Sequence, residues 1–142
     1  MATYEIEIKS LLGSEENADA LRQKLLIAGG TPAGRNKQLN HYFVDGDLCA
    51  LAETVSPHLS PNDREALSHV VVTGKDFSVR TRDADGVTFL VVKASVDDTT
   101  SANGIARLEF QAEVPGLSLA ELDGLLLGAG LEYQAKWSRE RE

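Results

Sequence analysis

The sequence predicts an α+β domain dominated by one antiparallel, strongly curved sheet with helices packed outside it. Three observations carry this. Residues 4–10 read Tyr-Glu-Ile-Glu-Ile-Lys-Ser, the period-two alternation of a strand with one apolar and one charged face. Residues 77–83 and 87–94 have strand character on either side of Asp85-Gly86, a dipeptide suited to a tight hairpin turn. Segments 14–29 and 118–128 space their apolar residues helically, so each can cover a sheet with one stripe.

Taken in order, the strand at 4–10 is followed by a helix that Ser14 caps, with Glu15 and Glu16 at its positive end and Ala18, Leu21, Leu25 and Ala28 in one stripe. Gly29-Gly30 stops it. A second strand near 37–45 mixes polar and apolar residues in both parities, so its register is ambiguous. Asp47 caps a short helix bearing Leu48, Leu51, Ala52 and Val55, and Ser60-Pro61 starts another, with Pro61 where no amide proton is needed. From Val70-Val71-Val72 onward the pattern is read as β. A polar loop at 95–104 leads to a strand at 105–114. Ser118 and Glu121 form a capping box for a helix with Leu119, Leu122, Leu125 and Leu126 facing inward, and a final strand begins near Leu131.

The chain has 142 residues, enough for one domain over 1–142 that buries about 68% of its unfolded surface. Twenty-two acids against fourteen lysines and arginines give a net charge of −8, a field that repels duplex nucleic acid and anionic membranes. Cys49 is the single cysteine, which excludes an intramolecular disulfide and a cysteine-rich zinc site. His41, His58 and His69 share no ligand spacing, and Gly74-Lys75 lacks the P-loop context. With no signal peptide and no run of eighteen apolar residues, the expectation is a soluble cytoplasmic protein.

Strand parity concentrates the charges. Glu5, Glu7 and Lys9 share one face, Arg80 and Arg82 another, and Arg107, Glu109, Gln111 and Glu113 a third, while Lys93 lies with Phe89 and Val91. Lys136 and Arg139 fall on opposite faces of a regular strand, so only one of them belongs to a common polar face. Antiparallel sheets commonly show charges to water on one side. Here two acids stand beside a lysine, two arginines alternate, and an arginine stands beside alternating acids, so a closed, polar-lined sheet would hold an anion on its bases and a hard cation on its carboxylates.

At this point the chain resembles the CYTH superfamily, the triphosphate tunnel metalloenzymes. Glu-Ile-Glu-Ile-Lys at 5–9 is similar to that family's E-x-E-x-K signature. The order of the rest agrees: Tyr42-Phe43, the Phe-Ser-Val-Arg-Thr-Arg strand at 77–82, a strand ending in Lys93, Arg-Leu-Glu-Phe-Gln at 107–111, a leucine-rich helix and a basic strand at 136–139. The resemblance implies a closed or partly open antiparallel β-barrel, the triphosphate tunnel fold, with its helices outside. It implies Glu5, Glu7 and Glu109 as catalytic residues and ligands for Mg²⁺ or Mn²⁺. Lys9, Arg80, Arg82, Lys93, Arg107, Lys136 and Arg139 become substrate-binding candidates.

The implied function is divalent-metal-dependent hydrolysis of inorganic triphosphate or of a nucleoside or thiamine triphosphate. The alternatives are adenylate cyclisation of the class IV type or non-catalytic binding of a polyphosphate or nucleotide. Gln111 stands at the second acidic position of the family's R-x-E-x-E pattern, and Asn40 stands where many members carry Asp. The family continues beyond the basic strand, so the expectation is a tunnel lacking its last strand or strands, either open and weakly active or completed by a second copy in a homodimer.

Overall fold

The computed structural model describes residues 2–5, 12–32, 34, 36–96 and 107–141. Its helices begin where side chains can satisfy free backbone amides. Ser14 accepts from the Asn17 amide ahead of α1 (Glu15–Ile27), and Asp47 accepts from Cys49 ahead of α2 (Leu48–Val55). A single 3-10 turn (Ser56–His58) follows α2. Ser60 accepts from Asp63 ahead of α3 (Pro61–Thr73), where Pro61 takes the first turn. Ser118 and Glu121 close the reciprocal capping box of α4 (Leu119–Gly128).

The strands are β1 (Ala2–Glu5), β2 (Asn36–Val44), β3 (Lys75–Ala84), β4 (Val87–Ser95), β5 (Arg107–Glu113) and β6 (Glu132–Arg141). Asp85 and Gly86 both adopt positive φ, 50° and 87°, the left-handed pair that a two-residue hairpin needs between β3 and β4. The Asp85 carboxylate also accepts from the Lys37 amide at 3.1 Å, which ties the hairpin tip to the start of β2.

All strand pairs are antiparallel, in the order β1-β5-β4-β3-β2-β6. This corrects the expectation of a barrel: the sheet is open. Closure requires hydrogen bonds between the outermost strands, and among the described residues β1 pairs with β5 and β6 with β2, with no ladder joining β1 to β6. Strand β5 alternates cleanly, and β4 does so apart from Val91, which is buried on the other face. Leu90, Val92 and Ala94 join Leu108, Phe110 and Ala112 in one core with Leu67 and Val70 of α3 and Leu122 and Leu126 of α4. Gly74 lets α3 end against β4, since a Cβ there would collide with Ala94.

Two expectations fail in the helical layer. Val70, Val71 and Val72 are not strand but the last turns of α3: the cap at Ser60 starts a helix whose Leu67 and Val70, three apart, face the core. Tertiary burial of that stripe overrides the β preference of three valines. Helix α1, expected against the sheet, buries no residue, and Leu21 and Leu25 are 41% and 56% exposed. Those side chains line a shallow groove with Gly30 and Pro32, so the covering role passes to α3 and α4. No helix among the described residues is long and apolar enough to cross a membrane.

A polar knot fastens α4 to the sheet. Asp123, 3% exposed, accepts from Thr81 Oγ1 of β3 at 2.6 Å and from the Tyr133 hydroxyl of β6 at 2.8 Å, and its Oδ2 lies 2.7 Å from His41 Nδ1 of β2. A register shift between β2 and β6 at Tyr42/Phe43 sets Tyr133 opposite Phe43, with the two rings 4.8 Å apart. A carboxylate this deep is tolerated because hydrogen bonds surround it.

Packing and exposure predict different responses to leucine truncation in α3 and α1. Leu67→Ala should cost about 2–5 kcal/mol in denaturant unfolding, whereas Leu25→Ala on exposed α1 should change stability by no more than about 0.5 kcal/mol. Desolvation raises the Tyr133 phenol above its ordinary value, reinforced by its hydrogen bond to Asp123 and by the charge of that carboxylate. A raised value in the folded state means a contribution that is complete below the normal phenol range and lost as pH climbs through the raised value. Unfolding midpoints measured at about pH 8 and about pH 11 should therefore diverge for the wild type, and Tyr133→Phe should reduce the divergence.

Candidate functional site: the polar face of the sheet

Because cross-strand partners project to the same side, pairing alone resolves the face opposite the helices into rows. Glu113, Phe89, Arg82 and Asn40 form one row across β5, β4, β3 and β2. Gln111, Val91, Arg80 and Tyr42 form the next, and Glu109, Lys93 and Ser78 the third. Arg107 pairs with Ser95 on one side and with Glu5 on the other. Five of the sequence candidates, Arg80, Arg82, Lys93, Arg107 and Glu109, therefore share this face, and the backbone position of Glu5 adjoins it.

The remaining candidates divide. Lys136 is not on this face: it stands opposite His41 on the helix side, with its Nζ 4.7 Å from the centre of the Tyr133 ring. Arg139 pairs in register with Gln38, the neighbour of Asn40 along this face. Glu7 and Lys9 lie outside the described residues.

Strand β3 places its two arginines in different states. Arg82 is 6% exposed, and its Nε donates to Asn40 Oδ1 at 2.8 Å while Nη1 donates to Gln111 Oε1 at a long 3.4 Å. Asn40 and Gln111 are neutral amides that accept from the guanidinium and fix its orientation. Arg80 is half-buried. Its guanidinium carbon lies 4.8 Å from the centre of the Tyr42 ring, and Nη1 donates to the Tyr42 hydroxyl at 3.3 Å. Lys93 Nζ and Glu109 Oε2 are 3.8 Å apart, a loose ion pair. Val91 beneath them is fully buried, yet it stands outside the helix-side core cluster.

Among the described residues, two buried donors on this face have no hydrogen-bond partner: Asn40 Nδ2 and Arg80 Nε. The amide of Asn40 cannot be turned to cure this. Arg82 presents only donors, so Asn40 must offer its oxygen to Arg82, and the NH₂ is the end left over. An unmet buried donor costs about 1–3 kcal/mol. Asn40 is 1% exposed, so open solvent does not satisfy it. Both orphans are donors, and they flank a buried guanidinium, so the missing partner is an acceptor.

Asn40, Tyr42 and Gln111 enter the sequence reading as motif positions, Asn40 and Gln111 as neutral stand-ins for family acids, and not as site candidates. Gln38, Asn40 and Tyr42 alternate along β2, and that parity was the available signal. It was obscured because the opposite parity, Leu39, His41 and Phe43, includes a polar member that the Asp123 knot requires.

Asn40→Asp tests the unmet donor. It replaces the orphan NH₂ by a second oxygen beside Arg82 at nearly unchanged size, and should raise unfolding stability by about 1 kcal/mol, read from the denaturation midpoint.

The expectation of a triphosphate tunnel is overturned by several findings. The sheet does not close, and among the described residues no three His, Cys, Asp or Glu side chains are grouped to hold a metal ion. The metal-dependent triphosphate hydrolase is therefore withdrawn, and the cyclase and polyphosphate-module alternatives, which rested on the same tunnel, go with it. Comparison of the chain with family models and with curated proteins yields no match, so the resemblance to the CYTH superfamily is withdrawn as well.

Proposed function

We propose that the chain is a binding domain whose polar sheet face takes a small molecule through an oxyanion group, a carboxylate or a phosphate. The observation that carries this reading is the pair of buried, partnerless donors, Asn40 Nδ2 and Arg80 Nε, beside the inward-held guanidinium of Arg82. An oxyanion brings several acceptor lone pairs to these donors, and a charge-assisted bond is about twice as strong as a neutral one. A net charge of −8 opposes anions at long range, so affinity rests on these local donors.

Titration calorimetry at low ionic strength, with inorganic phosphate, succinate and the uncharged polyol xylitol, tests the proposal. One of the two anions should bind saturably, xylitol should not, and the stronger anion identifies the preferred group. Arg82→Lys keeps the charge but loses the planar fork and should weaken binding by about tenfold or more. Absence of binding by both anions, or an unchanged affinity in that variant, overturns the reading.

A further inference from the structure

We infer that Tyr42 and Arg80 form a latch over the oxyanion site, so that the ligand enters only after the Arg80 guanidinium turns off the Tyr42 ring. This rests on the proposed oxyanion-binding function and concerns how that site is controlled. Arg80 Nε is shut off from solvent while it lacks any acceptor, so an incoming oxygen cannot reach it in the described conformation. The guanidinium lies along the ring of Tyr42, its carbon 4.8 Å from the ring centre, and its only hydrogen bond there is the long 3.3 Å contact from Nη1 to the phenol oxygen. Tyr42 is the direct cross-strand partner of Arg80, and both stand next to the Asn40–Arg82 pair on the same face.

The contacts that hold the latch are weak ones. A partly exposed cation–π contact and a stretched hydrogen bond each contribute little, so the turned-out state lies within thermal reach. Turning Arg80 exposes its Nε, and an oxyanion then gains a charge-assisted bond that the ring cannot supply. Apparent affinity is reduced by the fraction of molecules held shut, so loosening Tyr42 should tighten binding although a contact is removed.

Arginine Nε–H resonances give a direct test. The Arg80 signal, assigned by its loss in Arg80→Lys, should exchange slowly with water in the free wild-type protein and shift when phosphate or succinate is added. In Tyr42→Ala that exchange should accelerate by about tenfold or more, and anion affinity should rise by about three- to tenfold, with Tyr42→Phe between the two. Tyr42→Phe changes only the hydroxyl and preserves the ring, which keeps the comparison informative if the alanine variant fails to fold. Equal Nε–H exchange in wild type and the Tyr42 variants, or an affinity that falls when Tyr42 is changed, overturns the latch. Failure of both anions to bind the wild-type protein overturns the binding function instead, and the exchange rates of the free protein then judge the latch separately.

Discussion

The carboxylate of Asp123 decides which side of the sheet is which. It sits on α4 and draws Thr81, His41 and Tyr133 from three adjacent strands toward the helical layer. Side chains alternate along a strand, so committing Thr81 to the helices commits Arg80 and Arg82 to the opposite face. The same logic on β2 sends Asn40 and Tyr42 there once His41 is held. One buried acid thus sets the orientation on which the polar face depends. It is stable in the interior because neighbouring groups hydrogen-bond to it, where an unpartnered carboxylate would carry a large desolvation cost.

The two sides of the sheet are built on different principles. The helix side is a close-packed apolar layer of Leu90, Val92, Leu108 and Phe110 under α3 and α4. The other side buries Arg82 and Asn40 beside Val91, while Arg107, Gln111 and Glu113 stay exposed around them. A protein tolerates unmet donors in such a setting when something other than folding requires them. That contrast is what supports the proposed binding role of this face.

The open sheet changes what the charges mean. A closed barrel would gather bases and acids from all of its walls around one lumen, and the pattern of alternating charges fits that arrangement as well as it fits an open face. Strand parity gives the side of the sheet on which a residue lies, but not whether the sheet's two edges meet. Closure depends on hydrogen bonds between β1 and β6, which are distant in sequence and carry no local signature.

The sequence by itself determined the helix starts, the hairpin at Asp85-Gly86 and the alternation of β3, β4 and β5, because caps, turn residues and strand parity act over a few residues and need no distant partner. It also determined that Arg80 and Arg82 share a side. Tertiary structure alone decided that Val70 belongs to a helix, that the leucines of α1 stay exposed, that β2 turns Asn40 and Tyr42 to the polar face, and that the sheet remains open. Each of these depends on which surface meets which across long stretches of chain, and that contact free energy is large enough to override a local preference worth about 1 kcal/mol or less.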